Sequence, residues 1–158
     1  MSLWLVMNKM QMNNSYLTLP EISKILEIGE VDFFAEYNEK SDEIKQYAAQ
    51  EATFKIESLG IVNRSKKDGE LTFPLPFQNG VLGYDLKICV ALETLYIAIG
   101  KISPEIKLAQ MGIVAESNKS ASATYDKGYI RSLKRCNFNN LSAYQQIEKY
   151  IPKTFNMG

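Results

Sequence analysis

The sequence contains no histidine, so the commonest general base and metal ligand is missing from any site that it forms. A Ser-His or Cys-His catalytic dyad is therefore excluded. The two cysteines, Cys89 and Cys136, lie far apart in different predicted elements and do not have the spacing of a metal site. A single disulfide between them stays open, although a reduced intracellular chain is favoured.

Neither sign of charge is in excess. The 18 basic residues balance 18 acidic ones, and the formal net charge is zero. Domains whose whole surface binds nucleic acid usually carry a basic excess, so the balance argues against that class while leaving a local basic patch open. A chain with little net charge repels its own copies weakly, which is compatible with stable assembly.

The sequence also lacks a recognisable leader and a membrane-spanning run. The Met1–Lys9 segment has no basic start and only a short apolar run, unlike a signal peptide. The most apolar segment, Leu86–Ile99, carries Lys87 and Glu93 and is shorter than the roughly 20 residues that cross a bilayer. We therefore expect a core helix, in a protein that is cytoplasmic or assembled in the cytoplasm, with no membrane partner.

The Leu86–Ile99 segment is apolar on nearly every face, and such a helix must be surrounded by protein. A chain of 158 residues is long enough for one domain with a substantial core. We predict a mainly α (α+β) fold, a small helical bundle around this buried central helix with a β-hairpin insertion at about 61–77. Residues 1–17 form an N-terminal arm, 18–152 the single domain and 153–158 a short tail.

Local signals predict helices on both sides of the central one. Thr18 and Glu21 form a capping box before a short helix that Gly29 ends. A second helix opens at Ser41-Asp42, and a last helix is stopped by Pro152. The apolar stripe expected on the second helix comprises Ile44, Ala48, Ala52 and Ile56, widened by Tyr47 and Leu59.

Two segments are less regular. An Asp68-Gly69 turn between β-rich runs indicates the hairpin, and Phe73 and Phe77 on its far side need apolar cover. Residues 104–114 fit either a helix or a broken strand, and the period of their apolar residues does not separate the two.

No pattern indicates a catalytic, cofactor or metal site, so we expect no enzyme. The candidate functional residues belong to protein contacts. Trp4 lies either in a flexible tail or in an arm anchored on a neighbouring subunit. Glu93, an acid within an apolar helix, is expected to have a structural partner or a subunit contact rather than a catalytic role. The full candidate interface comprises Trp4, Phe73, Phe77, Glu93, Lys127, Arg131 and Lys134.

The three basic residues of that set lie on one face of a predicted helix. Such a stripe fits phosphate contact, a solvated surface or salt bridges to a neighbour, and all three stay open. A winged-helix DNA-binding protein is the alternative interpretation of residues 19–76, in which the hairpin is the wing and carries Arg64, Lys66 and Lys67 at its tip. The exposed face of its second helix would carry Glu43, Gln46, Gln50 and Glu57. Only Lys45 and Lys55 would oppose them, so this face suits phosphate poorly.

The order of elements resembles that of the small head–tail connector (adaptor) proteins of tailed bacteriophages. The resemblance is carried by a helix ending at Glu57–Gly60, by the apolar Leu86–Ile99 helix, and by Gln110–Val114 followed by the small, polar Glu116–Ser122. It spans roughly residues 18–151 as a pattern of elements.

The resemblance implies a structural protein that uses no cofactor. Copies of the chain would form a ring beneath the portal, one face meeting the portal protein and the other the next neck or tail component. DNA would pass through the lumen without sequence readout. The protein would be part of the virion, assembled in the host cytoplasm.

Overall fold

The computed structural model describes residues 15–59, 71–74, 80–111 and 137–151. Its helices are α1 (Leu19–Ile28), α2 (Phe34–Asn38), α3 (Asp42–Glu57), α4 (Tyr84–Ile99), α5 (Pro104–Gln110) and α6 (Leu141–Ile147), and a 3-10 turn at Glu148–Tyr150 follows α6. These described residues are 67% helical and include no strand, which confirms the mainly α prediction.

The predicted β-hairpin insertion is not supported. Within 61–77 only residues 71–74 are described, and they form no strand. The backbone N–H of Thr72 donates to the Glu57 carboxylate, and that of Phe73 donates to the Tyr16 hydroxyl. These two N–H groups therefore bind side chains rather than a neighbouring strand. A β-rich composition next to a turn signal is local, and it did not anticipate these tertiary acceptors.

Helix α4 is the central element, as the apolar segment predicts. It contacts α1, α2, α3 and α6, and its fully buried residues include Leu86, Val90 and Leu95. Gly100 follows the helix with φ 71°, a left-handed conformation that glycine adopts without a steric penalty, so the helix ends there. The predicted end is confirmed, and the start lies slightly earlier, at Tyr84.

Helix α3 packs on α4 through small side chains. Ser41 caps it by accepting the N–H of Ile44, as expected. The buried residues of α3 are Ala48, Ala49, Ala52, Thr53, Lys55 and Ile56. The expected stripe is wrong at Ile44 and Tyr47, which are exposed. A count of every fourth residue drifts around a helix with 3.6 residues per turn, so the stripe reaches the exposed side at its first member, Ile44. The buried alanines let the backbone of α3 approach α4 closely.

Side-chain caps start two of the remaining helices, α1 and α6. Thr18 and Glu21 form the predicted capping box at the start of α1. For residues 104–114 the sequence fits either a helix or a strand, and the described part is helical over Pro104–Gln110, with Ile106 and Ala109 buried. Asn140 caps α6 by accepting the N–H of Ala143.

The boundary of the predicted N-terminal arm lies inside the core. Tyr16 and Leu17, assigned to the arm by the sequence, are buried, whereas residues 1–14 and the predicted stop at Pro152 lie outside the described residues. None of the helices in the described ranges has the length and apolar character needed to cross a membrane.

Candidate functional site

A buried ion pair joins α3 to α4. Lys55 Nζ lies 2.8 Å from Glu93 Oε2, and the two side chains are only 8% and 0% exposed. The same ammonium donates a second hydrogen bond, of 3.0 Å, to Asn139 Oδ1. Two charges held this far from solvent fix the relative position of the two helices, because moving either one leaves the other uncompensated.

The Glu93 carboxylate also accepts hydrogen bonds from the start of α6. The N–H of Asn139 lies 2.8 Å from Oε2, and the N–H of Asn140 lies 2.9 Å from Oε1. The first N–H groups of a helix have no intrahelical partner, and the positive end of the helix dipole lies beside them. Glu93 therefore stabilises the start of α6 as well as the contact with α3.

Ser103, the residue before α5, ties that helix to the same place. Its N–H donates to the carbonyl of Asn139 at 2.7 Å, and its hydroxyl accepts the N–H of Leu141 at 2.9 Å. The hydrogen bonds made by Ser103 therefore connect the start of α5 to the start of α6, which in turn binds the ion pair. We call Lys55, Glu93, Ser103, Asn139 and Asn140 the Glu93 cluster.

The chemistry of the Glu93 cluster is structural. Burial raises the pKa of the Glu93 carboxyl, while Lys55 and the N–H groups of Asn139 and Asn140 oppose that rise. Both carboxylate oxygens accept hydrogen bonds inside the chain, and neither reaches the surface. Glu93 is thus an acid buried with a partner, and it has no exposed face to offer to a substrate or a neighbouring subunit.

Phe73, the other described residue of the candidate interface, is buried as well. Its ring packs edge-on against Tyr16 and Tyr150, with ring centroids 6.0 and 5.3 Å apart. The Tyr16 hydroxyl donates to Glu57 Oε1 at 3.0 Å, and burial raises the pKa of Tyr16. Thr72 donates both its N–H and its hydroxyl to the same carboxylate. Phe73 therefore closes one end of the core rather than facing a partner.

Asp85 links the first turn of α4 to the end of the described chain. It accepts hydrogen bonds from Lys149 Nζ and the Tyr150 hydroxyl, each at 2.7 Å, and from the Leu86 N–H at 2.8 Å. Partial burial opposes ionisation, but these donors together hold the pKa of Asp85 below its usual range. Burial, together with the Asp85 carboxylate, raises the pKa of Tyr150 to about 12.

We expect Asp85→Asn to flatten the acid side of the stability profile. A carboxyl whose folded-state pKa is lowered stabilises the fold above its unfolded value of about 3.9, and this contribution is lost as pH falls through the folded value. Urea unfolding from about pH 6 to about pH 2 measures the effect. The wild type should lose stability more steeply on acidification than the variant, and parallel profiles would contradict the assignment.

Two buried hydroxyls, those of Tyr37 and Thr94, have no hydrogen-bond partner in the described part of the chain. Burial raises the pKa of Tyr37 to about 12, with the Asp42 carboxylate adding to the rise. An unsatisfied buried hydroxyl costs about 1–3 kcal/mol of desolvation. Thr94 lies on α4 and is fully buried.

We expect Thr94→Val to raise the free energy of unfolding by about 1 kcal/mol, because the shape is kept and the unsatisfied hydroxyl is removed. Thr53→Val is the matched control, since the Thr53 hydroxyl accepts the N–H of Tyr16 at 3.1 Å. That change should cost about 1 kcal/mol. Denaturant unfolding compares the two variants, and equal losses in both would show that the Thr94 hydroxyl has a partner.

The outward side of α3 carries an unusual exposed apolar surface, which we call the α3 outer face: Glu43, Ile44, Tyr47, Glu51 and Phe54. Phe54 and Tyr47 are 69% and 63% exposed, and Ile44 is exposed beside them. Glu43 is exposed and Glu51 half-buried. Single exposed apolar residues are ordinary, but several on one helix face mark an interaction surface.

A second exposed surface lies on α5 and is named the α5 outer face: Pro104, Lys107, Leu108 and Met111. Their spacing places them on one side of the helix, opposite the buried Ile106 and Ala109. All four are exposed, Met111 to 62%. This face combines apolar side chains with a positive charge.

The structure therefore relocates the candidate surface. Trp4, Phe77, Lys127, Arg131 and Lys134 lie outside the described residues, and Phe73 and Glu93 are buried. Sequence reasoning missed the two outer faces. A helical projection of α3 would have shown Phe54 and Tyr47 on the side opposite the alanines, which is the signal that was available.

No protein-family model, curated protein or solved structure matched the chain in comparison. In the described ranges no group of three cysteine, aspartate or glutamate side chains is placed to hold a metal ion. Cys89 is a buried free thiol whose pKa burial raises. Function is therefore inferred from the internal contacts and exposed surfaces of the chain itself.

Proposed function

We propose that the chain is a structural subunit of a tailed-phage neck, where its copies form a ring that joins the portal to the next connector or tail component. The observation that carries the proposal is the α3 outer face. Phe54 and Tyr47 lie exposed on a helix whose opposite side is fully buried. Covering such side chains with a neighbour is worth about 25 cal/mol per Å² of apolar surface.

The internal contacts support the same role. A closed ring requires each subunit to present its contact faces at a constant angle. The Glu93 cluster holds α3, α4, α5 and α6 together by an ion pair and helix-end hydrogen bonds. Among the described residues, the buried ion pair between Lys55 and Glu93 thus holds the helices in fixed positions, which a ring subunit needs.

The proposed partners are copies of the chain, the portal protein and the following neck or tail proteins. DNA would pass through the lumen of the ring without recognition of its sequence. The proposed location is the virion, after assembly in the host cytoplasm. The role needs neither a cofactor nor an active site.

The winged-helix alternative gains no support from α3. Its outer face offers Glu43 and Glu51 with apolar side chains, and phosphate is repelled by carboxylates. The proposed wing residues Arg64, Lys66 and Lys67 lie outside the described residues.

Co-purification with the portal protein of the same genome tests the proposal. A tagged portal ring is expected to retain the untagged chain through washing, and an unrelated ring-forming protein carrying the same tag serves as the control. Failure of the folded wild-type chain to bind, even in large molar excess, would overturn the proposed function, as would a genome without a portal gene.

A further inference from the structure

We infer that the α3 outer face of one copy docks on the α5 outer face of the next copy. The inference rests on the proposed function for the presence of a ring, and it names the two surfaces that would build it. Each of the two faces is covered by another copy of this chain.

The α3 outer face has the anatomy of an interface centre with an acidic border. Phe54 and Tyr47 supply large apolar area, and aromatic residues of this kind are enriched at the centres of protein interfaces. Glu43 and Glu51 lie on the same side of the helix. A partner for this face needs apolar side chains together with positive charge.

The α5 outer face meets that requirement. Leu108 and Met111 are exposed one turn apart, and Lys107 is exposed on the same side. Methionine adapts its shape to aromatic partners and makes favourable sulfur–ring contacts. The opposite side of α5 is anchored in the core through Ile106, so the face is presented on a fixed support.

Charge decides between the possible pairings. Two α3 outer faces brought together would oppose the Glu43 and Glu51 carboxylates of both copies, and two α5 outer faces would oppose two Lys107 ammonium groups. Like charges across an interface are unfavourable, whereas opposite charges steer the correct pairing. The α3-to-α5 contact alone pairs opposite signs. Because it joins two different surfaces, it repeats from copy to copy, and the copies form a closed ring when the rotation between neighbours divides a full turn, as the proposed function requires.

Two single variants and their mixture test the pairing. Phe54→Lys places a positive charge opposite Lys107, and Leu108→Glu places a negative charge opposite Glu43 and Glu51. Each variant alone should weaken self-association by at least about tenfold, the size of losing one central interface residue. Mixed in equal amounts, they should recover assembly that neither shows alone, because the intact α5 face of one variant meets the intact α3 face of the other and the charges introduced by Phe54→Lys and Leu108→Glu are opposite.

Sedimentation velocity measures the outcome, and Ile28→Lys is the matched control. Ile28 is 68% exposed at the end of α1 and belongs to neither face, so this variant should assemble like the wild type. Circular dichroism checks that every variant is folded.

Several results would overturn the pairing. A Leu108→Glu chain that assembles normally would show that the α5 outer face is not used in self-association. A wild-type chain that stays monomeric at high concentration would show that these faces are covered within the chain. If that monomer still binds the portal ring, the proposed function survives without this interface. If the two faces pair as inferred but the portal is not bound, only the proposed function fails.

Discussion

Replacing Glu93 with alanine is expected to lower the free energy of unfolding by about 3–5 kcal/mol, the usual cost of removing one partner of a buried ion pair. The change leaves the Lys55 ammonium buried without a counter-charge. It also leaves the N–H groups of Asn139 and Asn140 without their acceptor at the start of α6. Urea unfolding followed by circular dichroism measures the loss.

Two further variants separate the causes of that loss. Glu93→Gln keeps the volume and one acceptor oxygen and buries no carboxylate, so a smaller loss is expected. Adding Lys55→Met to Glu93→Gln removes the unpaired ammonium and should recover part of the stability. Glu43→Gln is the exposed control and should change stability by less than about 0.5 kcal/mol. A double variant less stable than Glu93→Gln by the full cost of Lys55→Met would contradict the coupling.

Truncating Leu95 to alanine is expected to lower the free energy of unfolding by about 2–5 kcal/mol, because it leaves a cavity at the centre of the bundle. Leu95 is fully buried on α4, which contacts four other helices. Leu108→Ala is the matched control, since the same atoms are removed from an exposed position on α5.

Guanidinium unfolding compares these two leucine variants. The exposed change should alter stability by less than about 0.5 kcal/mol. Similar losses at Leu95 and Leu108 would contradict the position of α4 at the centre of the fold and would indicate that α5 packs more extensively than its exposed face suggests.

The sequence was informative where structure depends on local chemistry. The capping box at Thr18 and Glu21, the cap at Ser41 and the glycine after Ile99 each act within one turn, so the helix ends they predict are confirmed. The all-round apolar pattern likewise identified α4, because its burial requires no knowledge of which helices cover it.

Contacts between distant residues could not be predicted. Lys55 and Asn139 lie 38 and 46 positions from Glu93, and nothing local specifies their meeting. The stripe predicted on α3 is right at Ala48, Ala52 and Ile56 but wrong at Ile44 and Tyr47, because a count of every fourth residue drifts around a helix with 3.6 residues per turn. The hairpin signal at Asp68-Gly69 was similarly local, while residues 72 and 73 donate to side chains of distant segments.

Native mass spectrometry of the wild-type chain mixed with the portal ring of the same genome tests the central claim, that this chain is a ring subunit, most directly. The predicted result is one dominant complex whose mass equals the portal ring plus a fixed whole number of chains, with Phe54→Lys shifting it to partial occupancy. A portal mass that is unchanged by the folded chain, or a continuous distribution of bound copies with no preferred number, would contradict the claim.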